Sequence, residues 1–119
     1  MTMSRVEINM KFPSLNDYVD ANRANRQYGA KMKRELETGI CYFIKRMKKI
    51  KRPVELHFRW IEKDTRRDPD NIAFAKKFIL DAMIKAGKLP DDGWKWVRGL
   101  SDSFEIGKTT KVIVYIREV

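Results

Sequence analysis

The sequence predicts a small single-domain α/β protein, a mixed β-sheet packed with two main helices. Three observations carry that reading. Several segments alternate apolar and polar residues with the period of a half-buried strand, and two longer ones repeat apolar residues every three or four positions. Their order is β-α-β-α-β-β, which suits helices laid on a mixed sheet. The length of 119 residues fits one core and hence a single domain spanning 1–119. With 43% hydrophobic and 35% charged residues, the chain can build that core and does not read as a disordered tail.

Taken in order, residues 5–12 place Val6, Ile8, Met10 and Phe12 between polar neighbours, which predicts the first strand. Pro13-Ser14-Leu15-Asn16-Asp17 breaks it with turn-forming residues. From about Ala24 to Ile50, Tyr28, Met32, Leu36, Ile40, Phe43, Ile44 and Met47 recur at helical spacing, with Gly39 a weak point. Pro53 then ends the helix. Val54, Leu56, Phe58 and Trp60 alternate with Glu55, His57 and Arg59, the cleanest strand in the chain.

A polar stretch from Glu62 leads to a second helix, about Asp70 to Lys85, closed by Gly87. Pro90-Asp91-Asp92-Gly93 is a turn. Short strands are expected around Trp96–Arg98 and Phe104–Ile106, and a final strand over Lys111–Arg117. Should 97–106 form a strand beside the others, Asp102 and Glu105 come near the strand-to-helix junction.

Composition excludes several chemistries. The single Cys41 allows neither an internal disulfide nor a cysteine-based zinc site, and it sits in the first helix's apolar pattern. A lone His57 leaves no histidine-rich metal site and no Ser-His-Asp triad. No apolar run approaches the ~18–20 residues of a membrane span, and no signal-peptide core is visible. The expectation is a soluble cytoplasmic domain without membrane contact.

The net charge of +10 is uneven. Residues 31–52 carry nine cations, among them Lys45, Arg46, Lys48, Lys49, Lys51 and Arg52, against Glu35 and Glu37, which is +7 of the total. Such a patch attracts nucleic acid because neutralised phosphates release counterions. The blander reading is a solvated helix end, where cations favour the C-terminal dipole, but the size of the surplus points first to nucleic acid.

Against this basic background, Arg66-Arg67-Asp68-Pro69-Asp70-Asn71 delivers two carboxylates between the best strand and the second helix. Pro69 keeps Asp68 extended and lets a helix begin at once. Their mutual repulsion calls for a cation, from Arg66 and Arg67 or from a hard divalent metal such as Mg²⁺. Asp92, in the Asp91-Asp92 pair, offers a third ligand. On a helical wheel with Asp70 at 0°, Lys77 lies at about −20° and Asp81 at about +20°, with Lys76 at about 240°. The remainder is apolar nearly all round, as for a helix covered on several sides, here by a second subunit. The same residues also read as ordinary structure: Asp70 as N-cap, Lys77–Asp81 as an i,i+4 pair, Asp91-Asp92 as a turn. Trp94 and Trp96 suit either packing or base stacking.

Arg66-Arg67-Asp68-Pro69-Asp70-Asn71, then Lys77, Asp81-Ala82-Met83, Ala86-Gly87 and Asp91-Asp92, resemble the RusA family of Holliday junction resolvases. The Pro13–Tyr18 segment is similar to that family's stretch after its first strand, so the resemblance runs through the whole chain. It implies a RusA-like fold and a homodimeric, Mg²⁺-dependent endodeoxyribonuclease, with Mn²⁺ as alternative metal, resolving four-way DNA junctions in a bacterial or phage-infected cell. The implied carboxylates are Asp68, Asp70 and Asp92. The family's lysine, four residues after the second aspartate, has Phe74 at its place here, because the interval to Asp81 is about three residues longer. Counting back from Asp81 assigns it to Lys77, with Lys76 as the competitor. Arg66, Arg67 and the Lys45–Arg52 cations would hold DNA. Two other readings stay open: a non-catalytic DNA-binding protein, and an interaction module whose basic face docks an acidic partner.

Overall fold

A computed structural model describes residues 3–119. Its elements are β1 (Met3–Ile8), α1 (Leu15–Ala24), α2 (Arg26–Ile44), β2 (Val54–Glu62), α3 (Pro69–Ala73), α4 (Lys76–Lys85), β3 (Val97–Ile106) and β4 (Lys111–Glu118). The four strands form one mixed sheet in the order β1-β4-β2-β3. β4 runs antiparallel to β1 and β2, whereas β3 lies parallel to β2. The α/β class and the mixed sheet agree with the sequence reading. No helix among the described residues is long and apolar enough to cross a membrane.

The alternation of β2 decides which face is covered. Val54, Leu56, Phe58 and Trp60 are buried with Val112, Val114 and Ile116 of β4, against Ile40 and Ile44 of α2 and Ile79 and Met83 of α4. At ~1.5–3 kcal/mol for each large buried apolar side chain, this layer is the main stabilising term. The other face is tiled by polar cross-strand contacts. His57 contacts Ser101 and Ser103 at 2.7 and 2.9 Å. Arg59 pairs with Glu105 and bonds Tyr115, and Lys111 pairs with Glu7 at 2.6 Å.

Several boundaries differ from those expected. The first strand stops at Ile8, level with Val112 of its partner β4. Phe12 is buried outside the sheet, edge-on to Trp60 at 6.2 Å, so its place in the alternation reflects core packing alone. The segment read as a turn opens α1: the Ser14 hydroxyl accepts from the Asp17 N–H at 3.1 Å, and Asp17 accepts from the Ser14 N–H, a reciprocal cap. The long helix begins at Arg26, after an Asn25 cap, and ends at Ile44, because the cations from Lys45 onward repel one another in a helix. Gly39 lies inside α2 without breaking it; a Cβ there would meet the Met10 methyl at 2.8 Å.

The second helix is jointed. N–H groups of Ala75, Lys77 and Phe78 bond carbonyls three residues back, at 3.3, 3.2 and 3.0 Å, the tighter 3₁₀ pattern. Each such step advances ~120° instead of ~100°, so the wheel drawn from Asp70 loses phase across the joint. Its apolar surround needs no second subunit: Phe78, Ile79, Leu80, Ala82 and Met83 are buried within the chain. Gly87, at φ 73°, closes α4. Residues 97–106 form one continuous strand, not two short ones, because the whole segment pairs with β2.

Candidate active site

The chain leaves β2 through a loop held by one arginine. Arg67 donates to Glu62 Oε1 from Nε and Nη2, at 3.1 and 2.8 Å, and from Nη1 to the Phe12 carbonyl at 2.6 Å. Three charge-assisted bonds on a guanidinium only 19% exposed fix where the next residues emerge. Arg67 therefore positions the junction. Arg66 stays exposed, 3.7 Å from Asp64.

Asp68 is the N-cap of α3, extended at φ −72°, ψ 151°, with Pro69 next. Asp70, read as a possible cap, lies inside the first turn because Pro69 supplies the first helical position. The Asp68 side chain makes no capping bond, and among the described residues Asp70 Oδ1 accepts the neighbouring Asn71 N–H, at 3.0 Å. Both carboxylates are exposed. Two anions thus stand at a helix N-terminus, where the backbone dipole favours negative charge.

The two lysines after the joint take different partners. Lys77 Nζ lies 3.0 Å from Asp92 and 3.1 Å from Asp81; Asp81 also reaches Lys33 at 3.3 Å. Hydrogen bonding to Asp92, then to Asp81, holds the Lys77 ammonium above its ordinary pKa, so it is a fixed cation at neutral pH and not a base. The expected i,i+4 pair is present within a larger network.

Lys76 Nζ lies 2.5 Å from Asp102 Oδ2, and the Trp60 indole N–H donates to Asp102 Oδ1 at 2.8 Å. This network is half-buried, with the ammonium 5.7 Å from the Phe58 ring centre. Asp102 faces the helices because it sits opposite Phe58 in the β2–β3 register. Glu105, on the alternate face, is pulled below the usual carboxylate range by Arg59. The signal for Asp102 was its period-two phase with Leu100 and Phe104, legible once 97–106 is taken as one strand.

Asp91 Oδ2 accepts the Gly93 N–H at 3.3 Å, which closes the expected turn. Trp94 does not pack, being 92% exposed, whereas Trp96 leans on the core. Cys41 Sγ lies 3.8 Å from the Ala82 carbonyl at the α2–α4 contact.

The basic residues Lys45, Arg46, Lys48, Lys49, Lys51 and Arg52 are all exposed, in the connection from α2 to β2. They precede the first residue of β2, while Asp68 and Asp70 follow its last. At ~3.3 Å per residue, the strand separates these ends by about 26 Å.

For a divalent metal, the donor chemistry at Asp68 and Asp70 fits: two exposed oxygen ligands, in no ion pair among the described residues. Mg²⁺ is commonly held by one or two carboxylates, with water and substrate phosphate completing the shell. Asp92, the third expected ligand, is engaged by Lys77. No group of three or more His, Cys, Asp or Glu is gathered for a metal among the described residues. No model of a known protein family matches this chain, and no curated protein matches it.

Proposed function

We propose that the chain is a Mg²⁺-dependent endodeoxyribonuclease of the RusA kind, cutting four-way DNA junctions. The observation that carries the reading is the pair of exposed carboxylates, Asp68 and Asp70, on an Arg67-pinned strand-to-helix junction. The fixed cation Lys77 stands in the first turn of the following helix.

Asp68 and Asp70 would hold the metal, with Asp92 joining when it leaves Lys77. When bound there, Mg²⁺ or Mn²⁺ would supply activation of an attacking water and compensation of charge on the leaving oxygen. Lys77 remains protonated and stabilises charge building on the phosphate oxygens. Lys76 acts at one remove, anchoring α4 to Asp102 and Trp60. Arg66 and the Lys45–Arg52 cations contact phosphates, which sets position more than sequence. Their separation along β2 suits a branched substrate whose arms diverge.

A two-fold homodimer belongs to the same proposal, since paired cuts need two sites about one axis. The edge strand β3 supports it: Leu100, Phe104 and Ile106 are 48%, 41% and 55% exposed, beside an unpaired backbone edge.

One observation favours a second reading. Asp92 is salt-bridged and no three-ligand cluster is assembled among the described residues, as a non-catalytic junction binder would have it. Incubating the protein with a fixed four-way junction and Mg²⁺ separates the cases. Symmetric nicks, abolished by EDTA, support the nuclease; stable binding without nicks supports the binder. Failure to bind DNA even at low salt removes both and leaves a module for an acidic protein partner.

A further inference from the structure

α1 and α2 meet closely at Gly29, where a Cβ would lie 2.0 Å from the Asn22 side-chain oxygen. Between this pair and α3–α4 lies a cavity of about 530 Å³, within the range of small-ligand sites. Three aromatic rings form one side of it. Tyr18 sits 6.0 Å from Phe74 and 5.1 Å from Phe78, ring centre to ring centre, and Phe74 and Phe78 are 5.4 Å apart. Tyr18 and Phe74 are only half-buried, so part of their surface remains open to an occupant.

Leu15, Val19 and Asn22 complete the wall, and four cations join them. Arg23, Arg26, Lys33 and Lys77 stand against the single carboxylate Asp81. Asp81 is held by Lys33 and Lys77, whereas Arg23 and Arg26 are exposed and enter no ion pair among the described residues. The cavity therefore pairs an aromatic surface with unneutralised guanidinium groups. Its Lys77 wall is shared with the candidate active site.

We propose that this cavity takes one unpaired nucleotide of a DNA strand, its base against Tyr18 and Phe74 and its phosphate on Arg23 and Arg26. This rests on the DNA reading above and names what that site would recognise beside the cut: a nucleotide lost from the stack at the branch point. Aromatic side chains stack any base, and arginines hold phosphate without sequence preference. Unstacking costs least where pairing is already interrupted, which favours a junction over uninterrupted duplex.

The test uses the full chain in EDTA, with a short single-stranded oligonucleotide carrying a central 2-aminopurine. Wild-type protein is expected to quench the probe on binding. Tyr18→Leu, which keeps an apolar side chain, should remove the quench and weaken single-strand binding about five- to tenfold, with duplex binding unchanged. Replacing Arg23 and Arg26 by Ala should lower the salt slope by about 1; these exposed positions keep the test valid should Tyr18→Leu misfold. Absence of quenching, an equal loss on duplex, or equally tight binding of free dAMP would overturn the proposal. Nicking assays with Mg²⁺ keep the two ideas separate. Quenching without nicks removes the nuclease and spares the cavity, and nicks without quenching do the reverse.

Discussion

The two ends of β2 differ in what their charged residues meet. Before Val54 lies an exposed run of cations. After Glu62 the chain is pinned by Arg67 through Glu62 and the Phe12 carbonyl and delivers Asp68 and Asp70. The comparison teaches that surplus charge and candidate chemistry are separate properties of the fold. Phosphate attraction tolerates loose geometry because it acts over a Debye length. Carboxylates meant for a metal require a fixed exit from the sheet, and here the half-buried Arg67 supplies it.

That contrast breaks if the basic end controls cutting and not just binding. Replacing Lys45, Arg46, Lys48 and Lys49 by Ala should weaken junction binding more than about tenfold and lower the salt slope by up to about 4. Cutting at saturating protein should persist. Fluorescence anisotropy across a salt series, beside a nicking assay, checks both halves.

A smaller effect is expected inside the fold. Asp102→Ala leaves the Lys76 ammonium and the Trp60 N–H without their partner. At side-chain exposures of 22% and 21%, the loss should cost about 1–3 kcal/mol. A lower urea midpoint at unchanged slope would show it; an unchanged midpoint would mean the network adds no stability.

The smallest effect concerns pH. The folded-state pKa of Lys77 is raised by Asp92 and Asp81. Its pairing therefore stabilises the protein fully below the unfolded lysine value of ~10.4 and is lost as pH rises through the folded value. The difference in melting temperature between wild type and Lys77→Met should stay constant from neutral to mildly alkaline pH and shrink only beyond that. Shrinkage near neutrality would contradict the fixed-cation role.

What was legible in the sequence follows from the range of the forces involved. β2 and β4 are alternating strands whose pattern comes from one covered face, and local spacing reveals it. The Gly87 stop and the Pro69 start are single-residue backbone effects, equally local. α1 was hidden because Ser14 and Asp17 serve turns and caps alike, and its ten residues bury no side chain completely. The joint at Phe74–Ala75 contains neither Gly nor Pro, so nothing in composition marks it. The pairings Lys76–Asp102 and Arg67–Glu62 depend on where β3 and the β2 exit lie in space. At the candidate site, the strand-to-helix delivery of Asp68 and Asp70 was legible. The engagement of Asp92 by Lys77 was not, because it joins residues across a turn whose path only the fold determines.

The central claim is that Asp68 and Asp70 are there for chemistry and not merely to cap a helix. It is tested most directly by Asp70→Asn, assayed with Mg²⁺ on a fixed four-way junction and scored for binding and nicking in the same samples. The account predicts symmetric nicks from wild type, a loss of about a hundredfold or more in the variant, and junction affinity within a fewfold of wild type. A variant that nicks as fast as wild type would contradict it.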